Sequence, residues 1–167
     1  AGLWPNNKGM NVVLDLGANI ECSEKNLIDF SEMGAALYQS LYPNETAKVA
    51  LLNIGSEEIK GTELLKSTYS KLKILDEMGD FKFNGYIEGN HITKGDCNVI
   101  VTDGFTGNIA LKTAEGTANF LTDNLKKALS ANIFSKISSL LSYFPLKKFK
   151  NKLDPRKYNG AIFLGLK

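Results

Sequence analysis

The stretch NVIVTDGFTGNIALKTAEG, residues 98–116, decides how this chain folds. Its β-branched run Val99-Ile100-Val101-Thr102 reads as a buried strand. Asp103-Gly104-Phe105-Thr106-Gly107-Asn108 then predicts a sharp turn into a helix, because Leu111, Ala114, Ala118, Leu121 and Leu125 follow at helical spacing. A strand that enters a helix through two glycines brings backbone N–H groups and the positive end of a helix dipole to one point, which suits an anion. Gly104 and Gly107 let the backbone approach a ligand or take a positive φ. The pattern is neither the P-loop nor the dinucleotide fingerprint, so it indicates an anion without naming it. A tight turn whose glycines serve chain geometry alone is the equal alternative.

The same grammar recurs along the chain. Apolar runs end in glycine turns at VVLDLGAN (12–19), VALLNIGSEE (49–58) and FKFNGYIEG (81–89). Between the first two, Leu27, Phe30, Met33, Gly34, Leu37 and Leu41 form a helical stripe, with Pro43 just beyond its end. Between the second and third, a helix is expected from Glu57 to about Met78, carrying Ile59, Leu64, Leu65, Leu72 and Leu75. Strands alternating with helices of this length predict βαβ crossovers and a mostly parallel sheet, buried on both faces. The fold class is therefore α/β, a three-layer α/β/α arrangement with a Rossmann-like sheet. Residues 161–166 read as one more strand, and Ala1-Gly2-Leu3-Trp4-Pro5 as the inside of a helix-to-loop passage, as in a fragment of a longer chain. Ligands of open sheets sit at the carboxyl ends of the strands. That rim gathers Asn19, then Asn53, Glu57 and Glu58, then Asp103 and Asn108.

Two lysines stand near helix starts. Lys60 lies in GSEEIKG, between Gly55 and Gly61, and Lys112 lies one turn beyond Asn108. A cation beside a nest of N–H groups neutralises phosphate. The plainer reading of each is a solvated lysine paired with a nearby glutamate. It is the more natural one for Lys112, whereas glycines on both sides of SEEIK are costly in a helix unless something approaches closely.

With 167 residues, 43% of them hydrophobic, and a net charge of +2, the composition fits a globular core and argues against disorder. No apolar run approaches the ~20 residues of a spanning helix, and no signal peptide is evident. Cys22 and Cys97 lack paired spacing, which suggests a reducing cytosol without disulfide or zinc site. Cys22 follows a turn and is a candidate nucleophile, but a lone thiol with no histidine near it in sequence is usually inert. The single histidine, His91, excludes a multi-histidine metal centre and reads as a loop imidazole.

Residues 126–157 differ in kind. They hold nine bases and one acid, a net charge of +8, while the rest of the chain carries eleven bases and seventeen acids. Ile133, Ile137, Leu140, Leu141 and Phe144 form one greasy helical face. Pro145 is expected to break the helix, and Lys147 and Lys148 follow at once. The segment reads as a protruding amphipathic helical hairpin inserted in the domain. An anionic membrane surface, an acidic protein partner, and ordinary packing are three open readings of it. No nucleic-acid-binding motif is present.

On these residues the chain resembles the bacterial phosphate acyltransferases of the PlsX type. The resemblance rests on LDLGAN (14–19), FSEMG (30–34), VALLNIGSEEIKGTEL (49–64), NGYIEG (84–89), KGDCNVIVTDGFTGNIALKTAEG (94–116) and GAIFLGLK (160–167), in the family's order along almost the whole chain. It departs at Tyr86, where the family usually has asparagine, and at Asn90-His91, where it usually has a basic–acidic pair. The family's chains are longer, so the resemblance implies that residues 1–167 form the C-terminal half of such a domain, with 126–157 its basic insertion.

The resemblance further implies acyl transfer from acyl-acyl carrier protein to inorganic phosphate, without a cofactor or metal. Gly104, Phe105, Thr106, Gly107 and Asn108 would then hold phosphate through backbone N–H groups. Asn108 and Lys60 would neutralise phosphate or the developing oxyanion, and Asp103 would orient the site or manage a proton. Asn19, Asn53, Gly55, Glu58, Gly61 and Lys112 would line it. The implied partners are the acidic carrier protein, an anionic membrane surface and a second copy in a homodimer. The implied location is the cytoplasm, at the inner face of the cell membrane. Two other readings stay open: a non-catalytic membrane or carrier-protein module, and a phosphotransacetylase-like enzyme using acyl-coenzyme A.

Overall fold

The structure, a computed structural model, describes residues 1–79, 81–153 and 164. The chain divides into two units, residues 1–110 with 159–167, and residues 111–158.

The first unit is built on a five-stranded sheet in the order β1-β2-β5-β3-β4. Strands β2 (Met10–Leu14), β5 (Val99–Val101), β3 (Lys48–Asn53) and β4 (Lys82–Glu88) are parallel, as the alternation of strands and helices predicts. The exception is β1 (Gly2–Pro5), an antiparallel edge strand pairing Gly2 with Val13 and Pro5 with Met10. The opening residues are thus not a helix-to-loop passage. Proline is tolerated on an edge strand, where its missing N–H breaks no ladder bond.

Helices α1 (Glu24–Leu41) and α2 (Glu63–Met78) cover one face of the sheet, over Val12, Leu14, Leu51, Val99 and Val101. The other face buries Val13, Ala50, Leu52, Ile87 and Ile100 beneath Ile92 and Cys97 of the β4-to-β5 connection, with Trp4 and Leu16 packed alongside. That connection crosses from the sheet's edge to its centre with only a 3₁₀ turn, Gly89–His91.

Helix boundaries follow their caps. A capping box at Ser23 opens α1, where Ser23 and Asn26 exchange side-chain-to-amide bonds. Helix α2 starts at Glu63, six residues after the expected start at Glu57. Gly61 takes φ +97°, which a continuing helix cannot use, and the Thr62 hydroxyl then caps the Leu65 amide. Ile59 is accordingly 81% exposed and no part of the core. The strand expected over 161–166 lies outside the described residues, except Leu164, which packs against the core on α1's side of the sheet without strand pairing.

Helix α3 (Gly104–Ser130) runs from the first unit into the second. The second unit continues with α4 (Ile133–Leu141) and α5 (Tyr143–Leu153), which pack on each other. The break falls at Ser142, three residues before the proline expected to cause it. Pro145 sits in the first turn of α5, where helical amides have no partner within the helix and a missing N–H costs nothing.

Candidate functional site at the strand ends

Four parallel strands deliver their carboxyl ends to one side of the first unit, and β5 lies between β2 and β3. The loops after β2, β5 and β3 are therefore neighbours. Two clusters form there.

The first joins the β2 loop to the start of α3. Pairing of β2 with β5 runs on past the strands: the Asp15 amide donates to the Thr102 carbonyl and the Thr102 amide to Leu14, both at 2.8 Å. Asp15 is buried, and its carboxylate gathers the loop around itself. Its Oδ1 accepts from the amides of Gly17 (3.2 Å) and Ala18 (3.1 Å). Its Oδ2 accepts from the Asn19 amide (2.5 Å) and Asn19 Nδ2 (2.9 Å). Burial alone would raise its pKa, but the Asn19 side chain and the three amides outweigh it and hold the group below the usual carboxylate range.

Onto this loop sits the first turn of α3. Gly104 and Gly107 do not form a turn before the helix; they are in it, and neither takes a positive φ. They serve close approach. A Cβ on Gly107 would lie 1.9 Å from the Asp15 carbonyl oxygen, and one on Gly104 would lie 2.5 Å from that of Asn19. The amides expected to face an anion are mostly engaged. Gly104 N–H donates to the Asn19 carbonyl (2.8 Å), Thr106 N–H to Asp103 Oδ1 (2.7 Å), and Gly107 N–H to the Asp103 carbonyl (2.9 Å). Asp103 also accepts from the Thr106 hydroxyl at 2.8 Å, so it caps the helix. Asn108 is exposed at the rim, its Nδ2 donating to the Leu16 carbonyl at 3.0 Å. Phe105 is 59% exposed.

The second cluster is the β3 loop, residues 54–61. Buried Asn53 holds it at both ends, accepting from the Ile54 amide (2.8 Å) and donating to the Lys60 carbonyl (3.0 Å). Lys60 folds across Gly55 and pairs with Glu57 at 2.9 Å. Glu57, through that hydrogen bond, then its charge, keeps the Lys60 ammonium firmly protonated, and the Glu88 carboxylate at the end of β4 adds to the effect. Glu58 accepts from the Tyr69 hydroxyl at 2.7 Å and faces Lys73 at 3.5 Å.

Asn19, Asp103, Gly104, Phe105, Thr106, Gly107 and Asn108 thus meet in one cluster, and Asn53, Gly55, Glu58, Lys60 and Gly61 in the other. Lys112 belongs to the second unit, where it pairs with Glu115 at 2.9 Å. Asp15 stands inside the LDLGAN stretch but is not among the residues that the strand-end pattern or the family resemblance points to. The signal was available: an aspartate at a strand end, two residues before glycine, marks a side-chain-closed turn. Tyr69 lay unmarked within a helical pattern.

Neither thiol is activated. Burial raises the Cys22 pKa, the Gly104 amide opposes this, and the Asp103 and Asp15 charges add to the rise. Cys97 is buried and pushed up to about 12.

The family model described as "Fatty acid synthesis protein" matches residues 1–167. A phosphate acyltransferase of Pelagibacter ubique is 70% identical over 99% of this chain and 50% of its own length. One of Agrobacterium fabrum is 44% identical over 99% of this chain and 47% of its own. The chain therefore spans about half the length of these curated relatives. Among solved structures, the EutD phosphotransacetylase from Staphylococcus aureus superposes with a TM-score of 0.54 at 16% identity, over 71% of this chain and 41% of that one. At that identity the likeness concerns the fold, a phosphotransacetylase-like α/β architecture. With its whole described length matched, the chain belongs to the fatty acid synthesis protein family.

Proposed function

We propose that the protein transfers a fatty acyl group from acyl-acyl carrier protein to inorganic phosphate. A phosphate oxygen attacks the thioester carbonyl, forming the C–O bond of an acyl phosphate. The C–S bond breaks, and the carrier sulfur leaves with the electron pair and takes up the proton that phosphate gives up. Such a reaction requires placement of an anion and stabilisation of an oxyanion rather than a covalent nucleophile. The observation that carries the reading is the placement of an exposed cation, Lys60, and an exposed amide, Asn108, on the loops of neighbouring strand ends, with the one thiol of that rim, Cys22, held protonated. The names of the 70% and 44% identical relatives support it.

The internal bonding of α3's first turn reassigns the anion's partners. Side chains of Lys60 and Asn108 hold phosphate and oxyanion, with the Phe105 amide, which has no hydrogen bond among the described residues, as the backbone donor. Asp103 keeps that turn in register. Asn19, Asn53, Gly55, Gly61, Gly104, Thr106 and Gly107 build the cradle, and Glu58, bonded to Tyr69, anchors the loop of residues 54–61 that forms one wall of it. Incubating the full-length protein with palmitoyl-carrier protein and labelled phosphate should yield labelled acyl phosphate. Product from palmitoyl-coenzyme A alone would favour the phosphotransacetylase-like alternative, and no product from either donor would favour the non-catalytic module.

The second unit supports peripheral attachment at an anionic membrane surface; the proposed location, the cytoplasm at the inner face of the cell membrane, goes with that reading. Ile133, Phe134, Leu140 and Leu141 of α4 and Phe144 of α5 are each at least 70% exposed, with Lys147 and Lys148 next to them. Among the described residues no helix is long and apolar enough to cross a membrane. Exposed Phe120, Leu121 and Leu125 on α3 suit the proposed homodimer. Liposome binding should rise with anionic lipid, fall with salt and be lost in Leu141→Glu. Wild-type binding by that variant would turn the basic face over to the acidic carrier protein.

A further inference from the structure

One buried side-chain polar atom among the described residues lacks a hydrogen-bond partner, the hydroxyl oxygen of Tyr86. Tyr86 is 7% exposed, on the face of β4 that packs beneath α2. A buried donor without an acceptor costs stability, and its retention calls for a reason. Phenylalanine would fill the same space without that cost.

The surroundings supply one. The Tyr86 ring lies 4.8 Å from the Tyr69 ring, tilted by 42°, and Phe83 supports Tyr69 from its edge at 5.1 Å. The Tyr69 hydroxyl donates to Glu58 Oε1 at 2.7 Å, so two phenols stand side by side beneath one carboxylate. Only one of them reaches it. Glu58 is 63% exposed and rides on residues 54–61, two positions before Lys60. The Glu58 charge already raises the Tyr86 pKa, after burial itself, which places the carboxylate within electrostatic range of that hydroxyl.

We propose that Tyr86 is a positioning residue for Lys60: when phosphate draws residues 54–61 onto the strand ends, its hydroxyl becomes the second donor to Glu58 beside that of Tyr69. The closed loop then carries Lys60 to the anion. The Tyr69 hydrogen bond, then the charge of Lys73 at 3.5 Å, holds the Glu58 carboxylate ionised, ready to accept from both phenols. The inference rests on the acyl-transfer reading for its catalytic consequence, and on the geometry alone for the loop movement.

The test is Tyr86→Phe in the full-length protein. Phosphate should slow hydrogen exchange of residues 54–61 in the wild type and leave it unchanged in the variant. The variant should melt about 3 °C higher, having lost an unsatisfied group, yet turn over about tenfold more slowly at low phosphate, the scale of a hydrogen bond to a charged group. Lys60→Ala combined with Tyr86→Phe should be no slower than Lys60→Ala alone, because both act through one group. A variant with wild-type turnover, wild-type loop protection and a higher melting point would overturn the proposal, leaving a tolerated burial cost. So would a lower melting point, which would mean that the hydroxyl already has a partner. Absence of acyl phosphate from the wild type would remove the acyl-transfer reading, while loop protection by phosphate still decides the role of Tyr86.

Discussion

Residues 15–19 and residues 54–61 do the same topological job, each leading from a parallel strand into the helix that follows, yet different forces hold them. The first loop is wound around the buried Asp15 carboxylate and pressed backbone to backbone against α3, leaving no room for one Cβ at Gly107. The second is tied at its two ends by Asn53, and its middle leans on exposed ion pairs. Buried, charge-assisted bonds are worth roughly 1.5–3 kcal/mol each, exposed ion pairs at most about 1. One corner is scaffold and the other is free to move, so a site between them can hold an anion on a fixed wall and close a charged one over it.

Glycine substitutions break the comparison most sharply. Gly107→Ala forces a methyl group onto the Asp15 backbone carbonyl, with the Thr102 methyl 2.9 Å away, and should cost about 3 kcal/mol or more in urea unfolding. The nearest atoms to a Cβ in Gly55→Ala belong to the side chains of Lys60 and Glu57, at 2.4 and 2.7 Å, and these swing into solvent. It should cost under about 1 kcal/mol. Equal losses would mean that the two loops are equally rigid. A loss of turnover in Gly107→Ala is then a loss of structure, and says nothing of phosphate binding through N–H groups.

Lysine substitutions reverse the ranking, since they spare stability and strike activity. Lys60→Ala should lower turnover by about 10² or more if the cation meets the developing charge in a water-poor site. Lys66, paired with Glu63 at 2.9 Å on the exposed side of α2, is the control, and its alanine variant should change little. Small and equal effects would return Lys60 to a solvated lysine paired with Glu57.

Acid should separate the corners as well. The folded pKa of Asp15 is depressed, so its stabilisation is complete above the unfolded value near pH 4 and is lost as pH falls through the depressed folded value. Asp15→Asn should therefore cost about 2 kcal/mol at pH 7, the scale of charged hydrogen bonds, and a smaller amount at pH 3. Urea midpoints at the two pH values measure the difference. A cost independent of pH would assign the loop's order to shape rather than to the carboxylate's charge.

How much of this was legible depends on the range of the forces. The parallel strands were plain because four apolar runs stop at glycine turns, and burial on both faces leaves such runs little choice of residue. The edge strand β1 was not, since a four-residue run ending in proline carries no period of its own and owes its pairing to β2. The rim positions of Asn19, Asn53, Asp103 and Asn108 could be read from strand ends. Their partners could not, because whether an amide at Gly104 faces a ligand or the Asn19 carbonyl depends on a residue 85 positions away. Tyr86 was hidden for the same reason, since Tyr69 and Glu58 stand far from it in the chain, whereas the four donors of Asp15 lie within four residues of it and its place two residues before glycine marks the turn they close.

The smallest expected effect concerns Cys22, which lies where the scaffold corner meets the rim, its Sγ 3.6 Å from the Asn19 carbonyl. If this corner only holds shape, a thiol within it should take no part in the chemistry. Burial, then the charges of Asp103 and Asp15, disfavour its thiolate against the single opposing Gly104 amide, so at neutral pH it stays protonated and a poor nucleophile. Cys22→Ala should keep turnover within about twofold, a change too small to reflect a lost covalent step. N-ethylmaleimide should label the wild-type thiol slowly at pH 7 and faster as pH rises toward 10. Direct attack by phosphate leaves no acyl group on the protein. A trapped acyl-Cys22 adduct, or a folded Cys22→Ala variant without activity, would place a nucleophile in the corner assigned here to scaffold and replace direct transfer by a two-step reaction.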